Sequence, residues 1–168
     1  MGLLIVKEDF TGKFKIATGL FDKLDAYITR YEETILIDLL GATLFDLFKA
    51  DVNTTTKEPQ TPIYQNLYNE FHQDYNGCIK KSRGLKDMLL AMIYFEFKRD
   101  EKYKSTTGGT TVATIETGRE AGFSEEPIFV KYNEGITTYC AIQWYLNKNF
   151  SLYPDFNGQY KGLAHWAL

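Results

Sequence analysis

Apolar side chains recur at three- and four-residue steps over the first third of the chain. Leu20, Leu24, Tyr27, Ile28, Tyr31, Ile35 and Leu39 share one helical face, and Asp22, Lys23, Asp25, Arg30 and Glu33 take the other. A helix over residues 20–40 follows. Gly41 interrupts it before Leu44, Leu47 and Phe48 resume the pattern, and a glycine inside a helix costs about 1 kcal/mol relative to alanine, so a break falls there. Residues 50–60, with Asn53, Thr54, Thr55, Thr56 and Pro59, read as a polar loop. Thr61 and Pro62 then read as an N-cap and first helical residue of a second helix. Its stripe is Ile63, Leu67, Phe71 and Tyr75, and Asn76-Gly77 ends it. Residues 78–81 read as a short turn.

Ser82 is placed to cap a third helix over residues 83–103 whose middle, Met88 to Phe97, is apolar on nearly every side except at Glu96. A helix apolar all round is buried on several sides, which puts this one at the centre of the fold. Lys98, Arg99, Lys102 and Lys104 complement the dipole at its C-terminal end. Ser124, followed by Glu125, Glu126 and Pro127, starts a fourth helix with the stripe Phe129, Tyr132, Ile136, Tyr139, Cys140 and Gln143, ending near Asn149.

Three segments have no helical period. Residues 1–19 form an arm with the short extended run Leu3–Val6, which either docks on its own domain or adds to a neighbour. Residues 104–123 are rich in threonine and glycine; Thr110 to Ile115 favours strand and Gly108-Gly109 can turn a hairpin, so the segment reads as a projecting loop or β-arm. Residues 150–168 form an irregular aromatic tail with Pro154, Gly158, Tyr160 and Trp166. Together these describe one mainly α domain over residues 1–168, a four-helix bundle-like core at 20–149 with irregular arms at both ends.

Composition narrows the function. The formal net charge of −3 lacks the basic excess that phosphate neutralisation demands of a nucleic-acid reader. Twelve tyrosines give apolar area with a polar end, suited to cores and to protein contacts alike. No run reaches the roughly 18 apolar residues needed to span a bilayer, and the first residues are too short for a signal-peptide core, so a cytoplasmic setting is expected. Cys78 and Cys140 form no CxxC and read as reduced thiols.

Chemistry is sparse. Di-iron bundles use Glu-x-x-His pairs, whereas Glu70 stands two residues before His72, and His165 is isolated. HExxH, GxxxxGK[ST] and GxSxG are absent, and Gly108-Gly109 lacks the lysine of a phosphate loop. Glu32-Glu33 reads as a solvated face and Glu125-Glu126 as a helix start. Glu96 is the carboxylate expected to be shielded, paired with Arg99 one turn on. Lys80, Lys81, Arg83 and Lys86 read as a solvated basic cluster. The expectation is a protein that is not an enzyme and has no cofactor and no metal.

The stretch from Tyr31 to Phe48 (YEETILIDLLGATLFDLF) and that from Lys81 to Asp100 (KSRGLKDMLLAMIYFEFKRD) resemble patterns in small connector proteins of phages infecting Bacteroidetes. So does a Thr/Gly-rich loop followed by a final helix, as at 105–149. The group is similar in helical layout to the wider head–tail connector (adaptor) family, and the resemblance covers roughly residues 20–149. It implies a structural virion protein of the neck, assembled in the host cytoplasm. It would form a dodecameric homo-oligomeric ring beneath the portal that extends the DNA channel and supports tail attachment, with DNA passing unread. Leu4, Ile5 and Val6, Thr110, Thr111, Val112, Thr114 and Ile115, and Tyr153, Tyr160 and Trp166 are the expected contacts with neighbouring subunits or partners. The competing reading is a small helical adaptor or regulatory protein that binds one protein partner, monomeric or dimeric in solution.

Overall fold

The computed structural model describes residues 2–75, 77–106, 109–112 and 126–158. The chain is mainly helical. Three short 3-10 turns, Lys7–Asp9, Gly12–Phe14 and Thr18–Leu20, precede α1 (Phe21–Leu40) and α2 (Ala42–Asp51). Then follow α3 (Pro62–Tyr68), the strands β1 (Phe71–Tyr75) and β2 (Cys78–Ser82), α4 (Leu85–Lys102), β3 (Tyr103–Thr106), β4 (Gly109–Val112) and α5 (Glu126–Lys148).

Helix α1 forms where its stripe predicts, burying Leu24, Ile28, Ile35, Leu36, Leu39 and Leu40. Gly41 ends it with φ +82, a left-handed backbone that only glycine takes without strain. A Cβ there would also strike Asn157, whose amide donates to the Leu40 carbonyl at 3.3 Å. The break between α1 and α2 is therefore fixed both by conformation and by the tail crossing over it.

Helix α4 is the central element. Every side chain from Met88 to Phe95 is buried, and the helix packs on α5, α1 and α3. The α4–α5 seam is aromatic, with Phe95 against Tyr132 at 4.4 Å and against Phe129 at 5.6 Å between ring centroids. Gly135 of α5 faces Ala91 and Met92 where the two backbones come close. Glu96 makes the expected helical ion pair with Arg99.

The second helix differs from expectation. It stops at Tyr68, and residues 71–75 pair antiparallel with 78–82, from Phe71 opposite Ser82 to Tyr75 opposite Cys78. Gly77, between the paired Tyr75 and Cys78, has φ +81, and its amide donates to Asp74 Oδ1 at 2.9 Å; Asn76 lies outside the described residues. Residues 78–81, read as a turn, are strand. Thr61 holds the N-cap position of α3, but its hydroxyl bonds Asp51 instead of a helix amide. Burial pushes the Asp51 carboxyl up, but the hydroxyl and amide of Thr61 and the amide of Gln60 outweigh it and hold the group below its usual range. Ser82 is likewise no helix cap; buried, it accepts from the Gly84 amide at 3.0 Å, and Gly84, φ +86, leads into α4.

Of the Thr/Gly-rich segment, residues 103–106 and 109–112 form the antiparallel pair β3–β4, with Tyr103 opposite Val112 and Thr106 opposite Gly109. Those residues are strand, as the β alternative expected, while residues 107, 108 and 113–123, and with them the expected turn at Gly108-Gly109, lie outside the described part. Among the described residues each sheet has two strands, so each strand there has one edge without a ladder partner.

Candidate functional site

Glu32 overturns the reading of Glu32-Glu33 as a solvated face. It lies on the α1 stripe, four residues from Ile28 and four from Leu36, and its exposure is 3%. Glu33 points outward and pairs with Lys49 at 3.0 Å. A buried carboxylate needs donors, because stripping its hydration otherwise costs several kcal/mol. The N-terminal arm supplies them. The backbone amides of Leu4 and Ile5 donate to Oε1 at 2.7 and 3.1 Å, and that of Leu3 donates to Oε2 at 2.6 Å. Burial pushes the Glu32 carboxyl up, and the three amides together with Lys57 pull it only part of the way back.

The arm is thereby seated on its own domain. Leu4, Ile5 and Phe10 are buried in the core, and Val6 closes the first 3-10 turn by donating to Asp9 Oδ2 at 2.9 Å. Lys57 Nζ donates to the Gly2 carbonyl at 3.1 Å. Lys7 pairs with Asp25 at 3.2 Å and Asp9 with Lys86 at 2.7 Å, both partly exposed. Beside the clasp opens a shallow pocket of about 250 Å³ bounded by Gly2, Leu3, Glu32, Glu33, Lys49 and Lys57.

The expected contact residues therefore fall into four groups. Leu4, Ile5 and Tyr153 are inside the core of their own chain, the last with its hydroxyl donating to the Ile63 carbonyl at 2.7 Å. Val6 is half-buried. Thr110, Thr111 and Val112 belong to β4, while Thr114, Ile115, Tyr160 and Trp166 lie outside the described residues. The tail up to Gly158 packs on its own domain, with Phe156 against the core and Gly158 against the carbonyl of Leu39.

Several large apolar side chains are exposed. They are Ile37 on α1, Leu47 on α2, Ile79 on β2 at 70% exposure, Val130 on α5, and Phe150 and Leu152, each at 53%, after α5. Leu47 reads in sequence as part of the apolar stripe with Leu44 and Phe48, whereas Ile37 lies off the α1 stripe; Phe150 and Leu152 stand in a turn without period. The basic cluster is divided: Arg83 pairs with Glu134 and Lys86 with Asp9, while Lys80 and Lys81 lie on β2.

Among the described residues no group of histidine, cysteine and carboxylate side chains is arranged to hold a metal ion, and no helix is long and apolar enough to cross a membrane. Cys78 is exposed and Cys140 half-buried; neither is in a disulfide, and burial pushes the Cys140 thiol up. What the arrangement can do is bind backbone: a carboxylate that collects amides, and strand edges that offer them. No family model, curated protein or solved structure matches the chain.

Proposed function

We propose that the protein is a ring-forming head–tail connector of a tailed phage, a bundle-like helical subunit that docks beneath the portal and extends the DNA channel. The observation that carries the reading is the β3–β4 hairpin, which continues directly from the C-terminal end of the buried helix α4. A two-stranded hairpin is marginal by itself in water, and among the described residues each of its strands has one edge without a ladder partner, on which another chain can add. Its first strand follows directly on α4, so the pair is carried at the end of the most buried helix. Exposed Phe150 and Leu152 beyond α5 and Ile37 and Leu47 near the α1–α2 break supply apolar surface for a neighbour. The resemblance of residues 31–48 and 81–100 to small phage connectors is what suggests this kind of assembly. Head-to-tail contacts of one hairpin on the next subunit close into a ring when the rotation closes.

Deleting residues 106–119 tests this reading. The expected result is a folded helical core, by circular dichroism and cooperative unfolding, that no longer enters heads. Normal incorporation of the deleted chain overturns it.

A further inference from the structure

We propose that residues 2–10 are an exchangeable strap, and that the Glu32 groove of one copy accepts this segment from a second copy of the same chain. The inference deepens the ring reading and rests on it, because it names one contact through which successive subunits are joined.

Four observations carry it. The strap is held by groups that lie far along the chain: Glu32 takes the amides of Leu3, Leu4 and Ile5, Lys57 the carbonyl of Gly2, Asp25 the ammonium of Lys7 and Lys86 the carboxylate of Asp9. All of these bonds form equally well when strap and groove belong to different copies, so exchange leaves their sum unchanged. The strap is also a unit of its own, since the Val6 amide donates to Asp9 Oδ2 and the Asp9 amide to the Val6 carbonyl at 3.0 Å. It leaves the body through exposed Thr11 and Gly12, the latter at φ +54 with open space where a Cβ would stand. Beyond that link the chain is anchored again, by buried Phe14 and by Lys13 between Asp87 and Glu134.

The clasp itself favours exchange. A carboxylate that collects amides fixes where the strap ends up, but it sets no ladder in which strands could slip. Opening the strap exposes Leu4, Ile5 and Phe10 together with the Glu32 carboxylate, so an open strap is driven to find a groove, its own or a neighbour's. Given in one direction from each copy to the next, straps produce a head-to-tail chain that closes as a ring; given mutually, they produce a dimer.

The test uses full chains carrying Cys78→Ser and Cys140→Ser. One chain adds Lys7→Cys and the other Asp25→Cys; they are mixed unfolded, refolded together and oxidised, and the linked peptides are mapped. The expected result is a disulfide joining position 7 of one chain to position 25 of the other, lost when Glu32→Ala is added to the second chain. A single chain carrying both Lys7→Cys and Asp25→Cys reports whether the geometry permits the bond. Closure in that chain with no link between mixed chains overturns the inference. Deleting Thr11 and Gly12 gives a second reading: the shortened strap cannot reach its own groove, and the expected result is a rise in mass of at least twofold. A monomer whose first ten residues are cut rapidly by protease overturns it. A large assembly without the 7–25 link defeats the strap and leaves the ring reading standing; a monomer without the link defeats both.

Discussion

The Oε1 atom of Glu32 accepts the backbone amide of Leu4 at 2.7 Å across 28 residues of sequence, and Leu4 itself is fully buried. An ionisable group and a strand-forming segment, each awkward alone inside a protein, thus satisfy one another. The carboxylate receives donors it cannot find within α1, and the arm receives an acceptor without joining a sheet.

Removing that acceptor is expected to be costly. Glu32→Ala leaves three arm amides without their partner and opens a void beneath Leu4, a loss of about 2–4 kcal/mol in urea unfolding. Glu32→Gln keeps the shape and an oxygen for Leu4 and Ile5, so the loss falls to about 1 kcal/mol. Equal losses for the two substitutions would contradict the clasp.

Burial raises the Glu32 carboxyl above its ordinary value, so the folded state holds this proton more tightly than the unfolded chain does. Its contribution is therefore fully present below the ordinary value and is lost as pH rises through the folded one. The expected stability profile declines across that window in the native chain and is flatter in Glu32→Gln. A steeper decline in the variant would contradict the assignment.

The phenols give a second, alkaline window. Burial pushes Tyr27 up to about 12, with Asp100, which accepts its hydroxyl at 2.9 Å, adding to the rise. Tyr139 and Tyr153, buried in the core, are pushed up as well. The neutral phenol is the form the fold prefers, so the associated stability holds below the ordinary phenol value of about 10 and drains away above it. Urea midpoints are expected to fall above about pH 10, with part of the tyrosine absorbance change delayed until unfolding. Complete titration of every tyrosine near the ordinary value, with the fold intact, would contradict the burial.

Two glycines with positive φ separate conformation from contact. Gly41→Ala adds a Cβ against Asn157 to the left-handed strain, for an expected loss of about 2–4 kcal/mol. Gly12→Ala meets open space, so only the strain remains, about 1 kcal/mol. Similar losses at the two sites would mean that the tail does not hold the α1–α2 break.

The cluster in which Glu134 receives Arg83 and Lys13 is partly exposed, with Glu134 itself about one third open. Water screens such pairs, and Glu134→Gln is expected to cost less than about 1 kcal/mol, shrinking further in 1 M salt. A salt-independent loss above about 2 kcal/mol would give this cluster a structural weight that the geometry does not.

Long apolar periods made α1, α4 and the stripe of α5 legible in the sequence, and Gly41 marked its break. Phe71 and Tyr75 misled because a spacing of four from Leu67 suits a helix, while the same two residues also fit the alternation of β1. An Asn-Gly sequence suits the end of a helix or the turn of a hairpin, and the pairing of Tyr75 with Cys78 shows strands on either side of it. Glu32 was misplaced by its charge: its phase, on the row of Leu24, Ile28 and Leu36, already set it inside. What the sequence could not supply was its partner, since nothing local announces that an arm 28 residues away brings the amides.

Light scattering over a concentration series, with negative-stain images of the large species, checks whether copies of this chain close into the proposed ring. The account predicts closed rings with the mass of a dodecamer of the 19.4 kDa chain. A monomer at every concentration, with no rings on the grid, would contradict it.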